Sequence, residues 1–282
     1  MIIDAHQHYW KLARGDYSWM SPNLGEIYRD FLPGDLRPLR EASGVAGTIV
    51  VQAADTEDET RFLLDLAKSD ESILGVVGWV DMEASDFGPR LDNLISYGEG
   101  YLKAIRPMIQ DIADANWILH GSLDRAFDAL AERGLVFDAL VMPFHLAQLE
   151  VRLKRHPKLK CVIDHGAKPD IANHARSAWS HAMSSIATNT RAYCKLSGLV
   201  TEAGPDWSGS DITPYIADLL YHFGPARLIW GSDWPVLNLA SDYGAWFQLV
   251  KKCIQKLTAE QRARVFAKNA QQIYDVEVLC LQ

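Results

Sequence analysis

The sequence predicts an α/β fold of the (β/α)8 barrel (TIM barrel) type, as a single domain over 1–282. Short apolar or β-branched runs recur eight times, at 2–6, 46–53, 73–81, 101–107, 135–142, 159–165, 192–197 and 227–233. Several of them, such as TIVVQ, ILGVVGWV and RLIWG, are apolar almost throughout, as parallel strands buried on both faces require. Amphipathic helical stretches alternate with these runs. The rival architecture, an open doubly wound sheet, normally uses fewer strands and often a glycine-rich first turn. Neither GxGxxG nor GxxxxGKS/T occurs.

The first run closes on His6-Gln7-His8. A long connection follows at about 10–32, with Trp10, Tyr17, Trp19 and Tyr28 and little helical pattern. Its aromatic content argues against disorder, and it is expected to cover a pocket mouth or cap the barrel rim. Helices are expected at 58–69, with Phe62, Leu63 and Leu66 on one stripe, and at 123–133, with a Ser122 cap and a Gly134 stop. The stretch 144–155 is amphipathic and stops at His156-Pro157, and 211–223 ends at Gly224-Pro225. A helix at 243–255 follows the last strand. Thr258 and Gln261 make a capping box for a final helix through Ile273.

Composition narrows the function classes. A net charge of -8 and a pI of about 5.6 argue against a broad nucleic-acid footprint. No apolar run approaches the roughly 20 residues of a membrane span, and MIIDAHQHYW is not expected to be a signal peptide. Cys161, Cys194, Cys253 and Cys280 form no CxxC pair; the first two lie in apolar runs and are expected in the core. A reducing cytoplasm is the simplest home.

Barrel enzymes place their chemistry at the C-terminal ends of strands. His6 and His8 end the first strand, Arg106 the fourth, His165 the sixth and Asp233 the eighth. Side chains two apart on a strand point the same way, so His6 and His8 leave one face together. A buried imidazole pair is costly unless it holds a metal, a proton or a substrate oxygen. Asp233 is ionised at pH 7 and can act as a base; His6, His8 and His165 can polarise a carbonyl, directly or through a metal. Arg106 can clamp an oxygen. Asp138, inside an apolar strand, needs a partner and is expected in a pocket or salt bridge. Lys168 is expected to pair with a carboxylate or touch substrate, and Lys195 is read as structural. His120, His156, His174, His181 and His222 are expected to be exposed.

The segments IDAHQHYW (3–10), RDFLPGDL (29–36), IRPMIQD (105–111), VIDHGAKP (162–169), CKLSGLVTEA (194–203) and LIWGSDWPV (228–236) occur in that order. With them the chain resembles the amidohydrolase superfamily. Within it, the likeness is to the sugar-lactone hydrolases of the L-fuconolactonase and L-rhamnonolactonase type. The resemblance implies a carboxylic ester hydrolase that opens a sugar-acid lactone to the aldonate, with Asp233, His6, His8 and His165 as catalytic residues. It implies substrate contacts for Arg106 and allows them for Asp138 and His145. Trp79 and Trp234 can stack on a sugar ring, although large core aromatics are commoner. The chain departs from binuclear members: strand four ends in Arg106 rather than Lys or Glu, and strand five carries no His. His6, His8, His165 and Asp233 can hold one divalent ion, zinc first, with an open position. They can also work without it, and the branch includes metal-independent enzymes. No membrane or nucleic-acid partner and no oligomeric state is implied. The alternatives are a metal-dependent decarboxylase of the same superfamily and a non-catalytic sugar-binding barrel; the second is disfavoured because HxH and Asp233 are both present.

Overall fold

All eight expected strands form, and they lie side by side in one parallel sheet in chain order. They are β1 (Ile3–Gln7), β2 (Gly47–Val51), β3 (Ile73–Gly78), β4 (Leu102–Ile105), β5 (Val136–Ala139), β6 (Lys160–Ile163), β7 (Tyr193–Leu196) and β8 (Leu228–Trp230). The sheet curls until β8 meets β1: the Asp233 N–H donates to His6 O and the His8 N–H to Trp234 O, both at 2.7 Å. The result is a (β/α)8 barrel. This computed structural model describes residues 1–278, so Cys280 lies outside the described residues.

Helices run between the strands: α1 (Pro33–Ala42), α2 (Glu57–Ser69), α3 (Phe87–Tyr97), α4 (Asp124–Glu132), α5 (Leu146–Arg155), α6 (Arg176–Asn189), α7 (Gly209–Phe223) and α8 (Tyr243–Cys253). α2 starts where Thr56 Oγ1 accepts the Glu59 N–H at 3.1 Å, with three acidic residues in its first turn facing the helix dipole. α4 starts differently from the sequence expectation. Ser122 sits in a short 3₁₀ turn, Gly121–Leu123, and no side chain caps the helix that follows. α1, α3 and α6 fall where no helix was read from the sequence.

The Thr258–Gln261 capping box forms reciprocally, at 3.2 and 2.9 Å, and opens α9 (Ala259–Ala263). The final helix is not continuous. A π-helical turn, Arg264–Lys268, separates α9 from α10 (Asn269–Tyr274). This segment closes the barrel at the end where the strands begin. Asn269 Nδ2 donates to Leu228 O at 2.8 Å, and Ala267, Ala270, Ile273 and Tyr274 pack beneath Ile3, Ile49, Val136, Val162 and Ile229. A packed apolar plug therefore fills the lower half of the barrel, and access is left to the other end.

The 10–32 connection is ordered as a closed loop. Trp10 and Phe31 exchange backbone hydrogen bonds at 2.9 and 3.0 Å, which pins its two ends together. Trp10 and Tyr17 are buried, and the Trp19 indole N–H donates to Ala53 O at 2.7 Å at the mouth. Cys161 and Cys194 are core residues, as expected. His120, His174 and His181 are exposed, but His156 is buried: its Nδ1 meets Asp128 at 2.9 Å and its Nε2 meets Arg152 at 3.0 Å. His222 is half-buried against Ser180. No helix among the described residues is long and apolar enough to cross a membrane.

Candidate active site

The site begins with a slip in the sheet. Asp4 stands opposite Thr48, but Gln7 stands opposite Val50, so one extra residue is taken up in β1 between them. Such a bulge re-aims the side chains that follow it. Ala5 and His6 both turn into the barrel, His8 follows two residues on, and Asp4 points outward. There it accepts from Ser232 N–H at 2.8 Å and Tyr243 O–H at 3.0 Å, which ties β1 to the end of β8.

Three imidazoles then surround one carboxylate oxygen. From Asp233 Oδ1, Nε2 of His8 lies at 3.3 Å, of His6 at 3.7 Å and of His165 at 3.8 Å. All four residues are buried. Burial pushes the Asp233 carboxyl up, but His165, the His8 hydrogen bond and His6 outweigh it and hold the group well below the usual carboxylate range. Burial draws His165 down to about 4, so its ring is neutral at pH 7. His6 is also held well below its ordinary value, first by burial and then by Lys195.

Backbone strain delivers two of these groups. Asp233 has a φ of 63°, and His165 opens a left-handed turn with φ values of 54°, 57°, 60° and 49° from His165 to Lys168. Non-glycine residues pay for that conformation, and several in succession are rare. The Lys168 N–H closes the turn on His165 O at 2.9 Å, and the Trp179 indole holds Gly166 O at 2.7 Å. Two glycines make room. A Cβ on Gly198, itself at φ 62°, would stand 2.4 Å from His165 Nδ1. A Cβ on Gly231 would stand 2.6 Å from His6 Cβ.

Beneath lies a second polar layer. Lys195 Nζ is 2.5 Å from Asp138 Oδ2, 3.0 Å from Asp164 Oδ1 and 3.3 Å from His6 Nδ1. Tyr274 O–H donates to Asp138 at 2.8 Å. Arg106 spans both layers: Nη1 is 3.4 Å from Asp164 Oδ2, and Nη2 donates to the backbone and side-chain oxygens of Gln52. Burial pushes Asp164 up, but Lys195 and His6 outweigh it and hold the group well below its ordinary range. Two cations and two carboxylates thus balance inside the barrel.

Above the imidazoles is a cavity of about 300 Å3. His8, Arg106, His165 and Asp233 form its floor. Trp19, Leu24, Val236 and Leu239 line one side, from the loops after β1 and β8. Gln110, Lys168, Thr201 and Glu202 line another, from the loops after β4, β6 and β7. A larger hollow of about 670 Å3, between Lys154, Pro157 and Arg191, has no such convergence.

A family model described as Amidohydrolase matches residues 3–276. The chain belongs to the amidohydrolase family. It is similar to an L-fucono-1,5-lactonase of Burkholderia ambifaria, 46% identical over 98% of this chain and 96% of that protein. An L-fucono-1,5-lactonase of Burkholderia multivorans is 36% identical over 96% of this chain and 95% of that one. Among solved structures, an amidohydrolase from Burkholderia multivorans with bound zinc superposes with a TM-score of 0.93. It is 34% identical and covers 98% of this chain and 100% of that one.

The amidohydrolase barrel brings His6, His8, His165, Asp233 and Arg106 together, as their strand-end positions predict. It does not bring every candidate to the cavity. Asp138 lies in the layer below, paired with Lys195. Trp234 turns away from the cavity and packs edge-on against Tyr9 and Phe31. Trp79 is tied back to Thr60 through its backbone, and His145 is buried with Nδ1 accepting the Met142 N–H. Lys195, read from the sequence as structural, lies in that lower layer between Asp138 and Asp164. Its signal was a lysine inside the apolar run YCKL, which demands buried anions nearby.

The donor set fits a divalent cation. His6, His165 and Asp233 each offer one ligand atom within 4.8 Å of the others, the one such group of His, Cys, Asp or Glu found among the described residues. His6 Nε2 is buried without a hydrogen-bond partner among the described residues. His8 Nδ1 is 2.8 Å from Val51 O, which only accepts, so that nitrogen carries the proton. His8 Nε2 and Asp233 Oδ1 then face each other as two acceptors, an arrangement that calls for a proton or a cation between them.

Proposed function

We propose that this protein is a lactonase. It opens a neutral sugar-acid lactone, of the L-fucono- or L-rhamnonolactone type first, to its aldonate. The observation that carries the reading is the ring of three imidazole nitrogens around Asp233 Oδ1, on the floor of a pocket that also holds Arg106. The names of the two Burkholderia relatives support the substrate class.

The residues act in sequence. Asp233, held as a carboxylate, takes a proton from water as it attacks the lactone carbonyl. Arg106 faces the carbonyl oxygen and donates to the charge that develops on it, and the imidazoles would hold a cation that polarises the same oxygen. The C–O bond of the ring then breaks, and Asp233 returns its proton to the leaving alkoxide. His6, His165 and Asp233, with His8 beside them, would hold a divalent cation, with zinc favoured because the Burkholderia multivorans structure contains it. When bound, that ion supplies Lewis-acid polarisation and a more acidic water. The N–H donors of Arg106 stay in place without it. The scattered cysteine pattern fits a cytoplasmic setting.

The test is a panel of aldonolactones assayed for acid release before and after chelation, with metal content measured in parallel. Opening of neutral sugar lactones is expected. CO2 release from an aromatic acid with no lactone opened would replace this reading with a decarboxylase.

A further inference from the structure

The left-handed turn that presents His165 goes on for three more residues, and its last, Lys168, also faces the cavity. Lys168 Nζ lies 3.2 Å from Gln110 Oε1 and 3.2 Å from Glu202 Oε1. It thus joins the loops after β4, β6 and β7 into one polar wall. The side chains of Lys168 and Glu202 are 24% and 21% exposed, so they are shielded at the back and open toward the cavity. The opposite side, around Leu24, Val236 and Leu239, is apolar.

A structural reading of this pair is too weak. An ion pair of that exposure adds little to stability. Ala167 and Lys168, both in the left-handed region, each carry a larger backbone cost. Presenting His165 accounts for the first residue of the turn, not for the last.

The structure assigns Lys168 and Glu202 as the residues that read the hydroxyl groups of the substrate, an inference that rests on the lactonase reading of this site. Every sugar hydroxyl both donates and accepts. An ammonium beside a carboxylate offers the matching acceptor and donor to two neighbouring hydroxyls. The pair is neutral as a unit, so it suits a neutral polyol. A substrate with added carboxylates would meet Glu202 and Asp111 on the same side of the cavity.

The test compares a polyhydroxylated sugar δ-lactone with an unsubstituted δ-lactone in wild type, Lys168→Met and Glu202→Gln. Hydrogen bonds to charged groups carry enough energy for about a tenfold to hundredfold effect. KM for the hydroxylated lactone should rise by that factor, kcat should change little, and kcat/KM for the unsubstituted lactone should stay within about threefold. Equal losses on both lactones, or none on either, would overturn the assignment. Calorimetric binding of a polyhydroxylated δ-lactam, which is not turned over, reads the wall without catalysis. Binding to wild type and its loss in both variants supports the assignment even if no lactone is opened, an outcome that would sink the function alone. Unchanged lactam binding in the variants would overturn the assignment even in an active lactonase.

Discussion

Two polar layers share the upper half of one barrel, and they are built on opposite terms. In the lower layer Lys195 Nζ stands 2.5 Å from Asp138 and 3.0 Å from Asp164, and Tyr274 donates to Asp138 at 2.8 Å. In the upper layer His6 Nε2 has no hydrogen-bond partner among the described residues, and His8 Nε2 meets Asp233 Oδ1 at 3.3 Å. The lower layer is a scaffold, since closed networks of buried charge hold geometry. The upper layer is left incomplete on the side that faces the cavity, where a substrate oxygen or a cation can complete it. Depth in the barrel thus separates support from chemistry between two consecutive residues just past β6: Asp164 belongs to the lower layer and His165 to the upper.

The largest effect should come from the upper layer. Asp233→Asn keeps the shape and removes the proton acceptor. Lactone kcat is expected to fall by about 10²–10⁴ while circular dichroism and Tm stay near wild type. A variant within a few-fold of wild type would take Asp233 out of the mechanism.

The lower layer should answer in stability instead. Lys195→Met leaves Asp138 and Asp164 buried without their shared cation. Breaking a buried pair in this way costs about 3–5 kcal/mol, to be read from urea unfolding. A loss below 1 kcal/mol would mean that the layer is not the closed network its distances describe.

The contrast also marks what the sequence could carry. Eight strands were legible because buried parallel strands are apolar along their whole length. The cluster was legible because His6, His8, Arg106, His165 and Asp233 all end such runs. α1 was hidden by Pro33, Gly34 and Pro38, residues that usually end helices. α3 opens with Phe87-Gly88-Pro89, and α6 carries four serines, which blur its apolar stripe. The bulge that turns His6 inward is a property of strand pairing, and one strand's sequence does not contain it. Trp234 was misplaced for a related reason: the left-handed Asp233 before it reverses which side of the strand faces the cavity.

A smaller, sharper probe sits where the layers are held in register. Gly198→Ala would put a methyl against the His165 ring, in a left-handed conformation that alanine resists. The ring must shift, and a misplacement of about 1 Å can cost about 10² in rate. kcat should fall more than substrate KM rises, and urea unfolding should show a loss of about 1–2 kcal/mol from the strained alanine. Unchanged kcat would show that His165 tolerates displacement and has a looser role than the geometry implies.

The smallest effect concerns a carboxylate that lacks what Asp164 has. Glu59 is fully buried and accepts from the Ala53 N–H at 3.0 Å and from the Ala54 N–H, so it holds the loop against which Trp19 docks. No lysine or arginine makes an ion pair with it among the described residues, and burial raises its carboxyl from 4.5 to about 8. Asp164, equally buried but in contact with Lys195, His6 and Arg106, is shifted the other way. The folded protein therefore keeps a proton on Glu59 over a window in which the unfolded chain has released it. Stability from this group is full below about pH 4.5 and is lost as pH rises toward about 8. Glu59→Gln keeps an acceptor for both N–H groups and cannot titrate. Unfolding free energies at pH 5, 6.5 and 8 should show wild type losing ground to the variant by about 1 kcal/mol per pH unit, within the ceiling of 1.4 set by one proton. Parallel pH profiles would mean that Glu59 ionises freely where it sits. Burial without a cation would then fail to explain why two carboxylates in one barrel are shifted in opposite directions.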